Sequence, residues 1–246
     1  FKELRENPIM MFDALRIISI YKDREELKPF LVQFFLKCSL QSDGSTSNLI
    51  KILKDHDEPE LQFVNARILY QEKKFNAAYE LLHEMIKNES TLRSLRLRVL
   101  KTFSTWAIDD KTFDLFKRRN ITKCLLDISS KDPESYLKWS IANFMIYKDP
   151  SSDNGGDDFL KIAFVALFEG LKFNPSRPLP FTIRAISILL QSKTPNIFNI
   201  FNKYITEIPA KVWIFLLPQF IARIGPKQEE LQKAIVHLLN VIGESY

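Results

Sequence analysis

Apolar positions along the chain recur at spacings of three and four residues, the period of an amphipathic helix. Phe63, Ala66 and Tyr70 form one such row, and another begins at Phe75 after the polar turn Glu72-Lys73-Lys74. No run of strictly alternating apolar and polar residues, bounded by turn residues, indicates a β-strand. The pattern therefore predicts an all-α chain.

The predicted helices follow one another in pairs separated by short turns. The pair over residues 57–88 is similar to a tetratricopeptide repeat, about one residue shorter than the usual length. Lys131-Asp132-Pro133-Glu134 is a helix start signal, and Gly225-Pro226 separates the last two helices. Antiparallel pairs in this number, roughly a dozen helices, predict a right-handed superhelical solenoid. We expect tetratricopeptide-like repeats over residues 1–149 and HEAT-like helical pairs over residues 157–246.

Composition narrows the class of protein. The chain has 246 residues, of which 46% are hydrophobic and 6 are glycine. It can therefore bury a substantial core, which excludes a disordered or collagen-like chain. The net charge is +5, and basic residues alternate with acidic ones in most segments. Nucleic-acid binding concentrates basic residues on one face, so the pattern argues against it.

The sequence also bears on location. No apolar run reaches the roughly 18 residues of a transmembrane helix, so none is predicted. The first residues lack the basic and apolar regions of a signal peptide, and we expect a segment of a larger polypeptide. Two cysteines are too few for a disulfide framework, which indicates a reducing, intracellular compartment.

Signatures of catalysis are missing from the sequence. There is no G-x-G-x-x-G, G-K-[ST] or G-x-S-x-G motif for a nucleotide or a nucleophile. His56, His83 and His237 lie far apart and, with two cysteines, do not form a zinc pattern. Cys124 falls on an apolar helix face and is predicted to be an inert core thiol. We therefore predict no catalytic residue and no metal ligand.

Two pairs of carboxylates are the remaining candidates for acid–base chemistry. Asp109-Asp110 and Asp157-Asp158 are each predicted to precede a helix. There, an aspartate accepts hydrogen bonds from the free amides of the first turn and complements the helix dipole. Both pairs are therefore assigned to helix capping.

A cluster of basic side chains is the one candidate binding site. Arg67 lies in the repeat helix, Lys74 in its turn, and Arg98 and Lys101 along the next helix. Neighbouring helices of a solenoid can bring such residues together, and Arg and Lys bind polyphosphates through charge-assisted hydrogen bonds. The alternative is a solvated surface on which long basic side chains lie over apolar neighbours.

The segment Val212–Ile224 is unusual because Pro218 interrupts a very apolar helical pattern. A proline within a helix removes a backbone hydrogen bond and costs about 3 kcal/mol or more unless neighbours compensate. We therefore predict a kinked helix with a selected shape.

Several blocks of sequence together resemble the C-terminal part of the FAT domain of phosphatidylinositol-kinase-related protein kinases, most closely the target-of-rapamycin branch. The end of that domain is matched by Trp213, Pro218, Gln219 and Arg223, and its tryptophan-containing helix by Trp139. The resemblance covers about residues 10–246 and is looser in the first half. Further matching blocks are Val99–Trp106, Lys138–Phe144, Ala163–Leu171, Thr182–Ser187 and Leu238–Gly243.

The resemblance implies a non-catalytic helical scaffold that clamps and regulates a separate C-terminal serine/threonine kinase domain in growth and nutrient signalling. Its partners would be that kinase domain in cis and the accessory subunits of a large kinase complex, in the cytoplasm, with endomembrane or nuclear association as alternatives. ATP and Mg²⁺ would bind outside this segment. Inositol hexakisphosphate is the implied ligand of Arg67, Lys74, Arg98 and Lys101.

Three alternatives stay open. One is the FAT scaffold of the transformation/transcription-associated pseudokinase of histone acetyltransferase complexes. Another is a sibling kinase of nonsense-mediated decay or DNA damage. The third, of a different class, is a free-standing tetratricopeptide adaptor that binds other proteins.

Overall fold

The computed structural model describes residues 59–88, 91–150, 156–173, 177–191, 195–214, 217–222 and 229–245. Every regular element in these ranges is an α-helix, which confirms the all-α prediction for them. The helices predicted within residues 1–58 lie outside the described residues. Among the described helices, none combines the length and the apolar character needed to cross a bilayer.

Eleven helical segments are described, and we number them in chain order. They are α1 (Pro59–Gln71), α2 (Phe75–Lys87), α3 (Arg93–Asp109), α4 (Leu115–Ile128), α5 (Pro133–Lys148), α6 (Gly156–Lys172), α7 (Leu179–Gln191), α8 (Pro195–Glu207), α9 (Ala210–Ile214), α10 (Leu217–Ile221) and α11 (Glu229–Ser245).

The chain divides into two compact units, Phe1–Phe103 and Ser104–Tyr246, and the division falls within α3. In the first unit α1 packs against α2, and in the second α4, α5 and α6 each pack against the next helix. The described part of each unit therefore contains packed neighbouring helices. A complete solenoid, and the two repeat types predicted for residues 1–149 and 157–246, remain predictions.

The predicted helix pair of residues 57–88 is present as α1 and α2. Helix α1 ends because Lys73 adopts a left-handed conformation, with φ of 62°. The amide of Lys74 then donates to the carbonyl of Leu69 at 2.9 Å, and that of Lys73 to Tyr70 at 3.0 Å. These bonds satisfy carbonyl groups at the helix end, as in a Schellman motif. The turn is therefore as tight as the sequence predicted.

Two helix starts in the second unit follow local capping signals. The carboxylate of Asp114 accepts from the Lys117 amide at 2.7 Å and caps α4. Asp132 accepts from the amide of Glu134 at 3.1 Å, and Pro133 is the first residue of α5, as the sequence predicted. These side chains use amides that the helix itself leaves unbonded.

The prediction for the first aspartate pair was wrong. Asp109 is the last residue of α3, and the carboxylate of Asp110 accepts from the Thr112 amide at 2.9 Å in the following turn. Helix α4 begins later because Asp114 supplies its cap. Asp157 and Asp158, which were predicted to precede a helix, lie instead in the first turn of α6. Their charges there still complement the helix dipole, as predicted.

Cys124 also differs from its prediction. It lies on α4 but is exposed, so it is not a core thiol. The buried face of α4 instead contains Ile121, Thr122, Leu125 and Leu126. Position 124 lies on the other side of the helix because each residue advances the side chain by about 100°.

The core of the second unit joins helices that are distant in the sequence. Trp213 on α9 is completely buried. Its ring centroid lies 6.1 Å from that of Phe168 on α6 and 5.8 Å from that of Phe201 on α8. Helices α8 and α9 both pack against α11. The aromatic cluster therefore links three helices through dispersion contacts and buried area, and α11 packs against two of them.

The apolar segment around Pro218 is described as two short helices, α9 and α10. Pro218 is the second residue of α10, where its missing amide costs no intrahelical bond, and its carbonyl accepts from the Ala222 amide at 3.0 Å. Gln219 belongs to α10, while Arg223 lies outside the described residues.

Candidate functional site

The basic cluster is partly assembled in the first unit. Arg67 on α1 is half-buried, and Arg98 on α3 is close enough to interact with it electrostatically. Burial lowers the pKa of the Arg67 guanidinium, and the positive charge of Arg98 lowers it further. The Arg98 guanidinium carbon lies 5.5 Å from the centroid of the Phe63 ring, which Arg98 covers. Two cations therefore share one partly apolar surface.

No described residue neutralises this arginine pair. Neither the Arg67 nor the Arg98 guanidinium forms a hydrogen bond or an ion pair with any residue that the structure describes. Arg67 is half-buried and Arg98 is exposed, and two like charges repel each other more where one of them is partly desolvated than they would in water. An anion placed between them would remove this repulsion and accept charge-assisted hydrogen bonds.

The two predicted lysines are placed differently. The ammonium of Lys74 lies 2.6 Å from a carboxylate oxygen of Glu72, so its charge is already paired. Lys101 is exposed, three residues after Arg98 on α3. The structure thus brings Arg67 and Arg98 together, pairs Lys74 with a carboxylate, and leaves Lys101 at the surface of the same helix as Arg98.

Arg96 is a further basic residue of interest on α3. It is half-buried, and its Nε is buried without a hydrogen-bond partner in the described part of the chain. An unpaired buried donor costs about 1 to 3 kcal/mol. Because its Nε has no partner in the described part of the chain, Arg96 is an additional anion-binding candidate on α3. It is two residues from Arg98 and so projects from a different side of the helix.

The two tryptophans that carry the family resemblance are core residues. Trp139 on α5 is 8% exposed and Trp213 is completely buried. The Arg119 guanidinium lies 4.9 Å from the Trp139 ring centroid, and the ammonium of Lys123 lies 5.8 Å from it. Cation–π contacts and burial therefore hold Trp139 in place. Both tryptophans pack helices together and present no reactive group.

A buried arginine was missed by the sequence analysis. Arg118 on α4 is 1% exposed. Its guanidinium donates to the carbonyl oxygens of Ala107 at 2.5 Å, Asp110 at 2.8 Å and Phe113 at 3.0 Å. A cation at the end of α3 also complements the negative end of the helix dipole. The signal was present, because Arg118 falls three residues before Ile121 on the buried face of α4.

The most strongly coupled charges join α6 to α8. Glu169 accepts a hydrogen bond from the Tyr204 hydroxyl at 2.6 Å and pairs with Lys172 at 2.9 Å. Lys172 also lies 2.6 Å from a carboxylate oxygen of Glu207. Burial and then the bond to Glu169 raise the pKa of Tyr204. Burial alone would raise the pKa of Glu169, but the bonds from Tyr204 and Lys172 outweigh it and lower that pKa.

This network stabilises the contact between two helices. Burial alone would lower the pKa of Lys172, but its hydrogen bonds to Glu207 and Glu169 raise it instead. Every charge in the network has an opposite partner, so it offers no free group to a ligand.

Comparisons with known proteins add no relative. No protein-family model matches the chain, and no curated protein is similar to it in sequence. Within the described ranges, no three His, Cys, Asp or Glu side chains are grouped as a metal ion would require.

Proposed function

We propose that this chain is a non-catalytic helical scaffold that clamps and regulates the serine/threonine kinase domain of a target-of-rapamycin-type phosphatidylinositol-kinase-related kinase. The observation that carries the proposal is the burial of Trp213. This residue anchors the strongest block of the family resemblance, and it packs on Phe168 and Phe201 at a junction of helices. A large aromatic side chain buried between helices is typical of a residue that holds a helical scaffold together.

The packing also supports a mechanical role. Helices α4, α5 and α6 each contact the next one, so a displacement of one helix changes the packing of its neighbour. Trp213 then joins α6 and α8 through aromatic contacts. A scaffold of this kind regulates a kinase domain by limiting how far its lobes move.

The first test is to determine the native polypeptide that contains this chain. Sequencing of its transcript, together with mass spectrometry of the native protein, identifies the residues that come after Tyr246. A helical bundle and a kinase domain with intact catalytic and metal-binding aspartates are expected. A kinase-like domain without those aspartates would transfer the proposal to the pseudokinase scaffold. A stop codon directly after Tyr246 would refute both.

The second test measures coupling in the parent protein. Trp213→Ala should change kinase output towards a protein substrate, because it loosens the packing of the scaffold. Val236→Ala is the control, since Val236 is 57% exposed on α11. Equal kinase activity of wild type and both variants would contradict the clamp.

We also propose that Arg67 and Arg98 bind a polyanion of the inositol-phosphate class. The support is their mutual repulsion on a partly apolar surface and the lack of an anionic partner in the described ranges. Lys101 would add a surface contact on the same helix. Lys74 would contribute less, because Glu72 competes for its charge at 2.6 Å.

Calorimetric titration of inositol hexakisphosphate into the chain tests this site. The double variant Arg67→Gln, Arg98→Gln should weaken binding about tenfold or more, because each charged hydrogen bond contributes about 1.5 to 3 kcal/mol. Lys74→Gln should have a smaller effect. Arg177→Gln, which removes an exposed cation outside the cluster, is the control. Unchanged affinity in the double variant would refute the site.

A further inference from the structure

The second unit contains a groove between α5 and α7 with a volume of about 430 Å³. Ser140 and Phe144, one turn apart, form the α5 wall. Along the other wall, lining positions run from Pro180 to Ile188, a length of about 12 Å at the helical rise. The groove is large enough for a few side chains of a ligand.

The surface of the groove is mainly apolar and partly exposed. Ile183 on α7 is 41% exposed, and Phe144 is half-buried against the core of the unit. Ser187 donates its hydroxyl to the Ile183 carbonyl of its own helix at 2.9 Å, and Ser140 donates to the Ala163 carbonyl at 2.7 Å. Because both hydroxyl groups already donate to backbone carbonyls, neither serine offers a free hydrogen-bond donor to a ligand. The apolar walls therefore favour apolar side chains.

Two positive charges flank these apolar walls. Arg184 lines the groove on α7, and no residue within the described ranges pairs with it. Arg184 is exposed, and partial burial of its guanidinium lowers the pKa. The Lys148 ammonium, one turn beyond Phe144 on α5, lies 5.5 Å from the ring centroid of that wall residue. A carboxylate at the rim of the groove would meet the Arg184 cation.

We propose that this groove binds an amphipathic helix of a partner protein, with its apolar side chains between α5 and α7 and an acidic side chain on Arg184. The spacing of the lining residues supports a helix as the occupant. The α7 wall is built from positions three and four residues apart, which form a ridge along the helix. A bound helix has apolar side chains at the same spacing, so its own ridge can pack against that of α7. The charges select an acidic partner over a basic one.

Fluorescence anisotropy with the full 246-residue chain tests the proposal. The probe is a fluorescein-labelled peptide of about four helical turns, with leucines along one stripe and glutamates on either side of it. A second probe has glutamine in place of each glutamate. We expect the acidic probe to bind about tenfold or more tightly than the neutral one, because only it pairs with Arg184.

Variants of the chain locate the binding site. Arg184→Gln should reduce affinity for the acidic probe about tenfold and leave affinity for the neutral probe unchanged. Arg177→Gln removes the same charge from an exposed position shortly before α7, outside the groove, and should change neither affinity. Ser187→Phe fills the groove and should weaken both probes, with circular dichroism to verify its fold.

Several results would overturn the proposal. One is equal affinity for the two probes, and another is an equal effect of Arg184→Gln and Arg177→Gln. Absence of binding up to about 1 mM acidic probe would also do so, since that limit corresponds to only about 4 kcal/mol. If dodecanoate, and neither peptide, bound in an Arg184-dependent way, the occupant would be a small amphipathic acid rather than a helix.

Discussion

Gly170 sits where three helices approach closely, and substituting it tests how tightly they pack. A Cβ atom added at Gly170 on α6 would lie 2.5 Å from a ring carbon of Phe181 on α7 and 3.0 Å from the Cβ of Tyr136 on α5. Carbon atoms in contact normally lie about 3.5 to 4.0 Å apart. Phe181 is 2% exposed, so its ring cannot turn out into solvent. The helices themselves would have to separate.

Two opposing effects set the change in the free energy of unfolding that Gly170→Ala causes. Alanine is favoured over glycine in a helix by about 1 kcal/mol. Overpacking a well-packed core costs about 1 to 3 kcal/mol, and the distances at Gly170 place it in the upper part of that range. Gly170→Ala should therefore lower the free energy of unfolding by about 1 to 2 kcal/mol, a fall in melting temperature of about 2 to 8 °C.

Gly243 provides a matched control on α11. A Cβ added there has no atom within 4 Å, so Gly243→Ala gains helix propensity without a clash. It should stabilise the chain by up to about 1 kcal/mol, less because the position is near the helix end. Urea unfolding followed by circular dichroism compares the two variants. If Gly170→Ala were as stable as Gly243→Ala, the close approach of α5, α6 and α7 would be refuted.

Three other substitutions probe separate contacts. Trp213→Ala should lower the free energy of unfolding by about 3 to 5 kcal/mol. Trp213→Phe should lower it by only about 1 kcal/mol, because it keeps an aromatic ring and removes a buried N–H that has no partner in the described ranges. Equal losses for the two variants in urea unfolding would contradict this. Arg118→Met leaves three carbonyl groups without their donor and should cost about 2 to 4 kcal/mol, with faster hydrogen exchange at the end of α3 than in α11. Tyr204→Phe loses the bond to Glu169 and should cost about 1 kcal/mol at neutral pH. Because the folded pKa of Tyr204 is raised, its contribution is complete below the ordinary value of 10.0 and is lost as the pH rises above it. The difference in free energy of unfolding between wild type and Tyr204→Phe should therefore decrease as the pH rises above that value. A difference that stays constant with pH would contradict the assignment of this stability to the Tyr204–Glu169 hydrogen bond.

Local signals in the sequence explain several of the described helix boundaries. Asp132 and Pro133 mark the start of α5, and the polar residues 72–74 form the turn between α1 and α2, as predicted. Such signals act within one helical turn, so a single sequence is enough to detect them. The error at Asp109 and Asp110 has the same origin, since Asp114 is an equally good cap a few residues later.

Contacts between distant helices were beyond this kind of prediction. The spacing of apolar residues shows that α6 has a buried face, but it does not show that Gly170 meets Phe181. Nor does it show that Trp213 lies between Phe168 and Phe201. These contacts depend on how helices cross, which is set by side chains on both partners.

The arginines show that the absence of a partner within the described part of the chain, rather than a high number of charges, indicates a candidate binding surface. Arg118 is the most deeply buried, yet three backbone carbonyl groups use its donors, so it holds the chain together. Arg67 and Arg98 interact electrostatically, and Arg184 lines a groove; none of the three has a paired anion in the described ranges. Desolvation without a partner is costly in the free protein and is relieved when an anion binds. The candidate ligand surfaces are therefore the arginine pair of the first unit and the groove of the second.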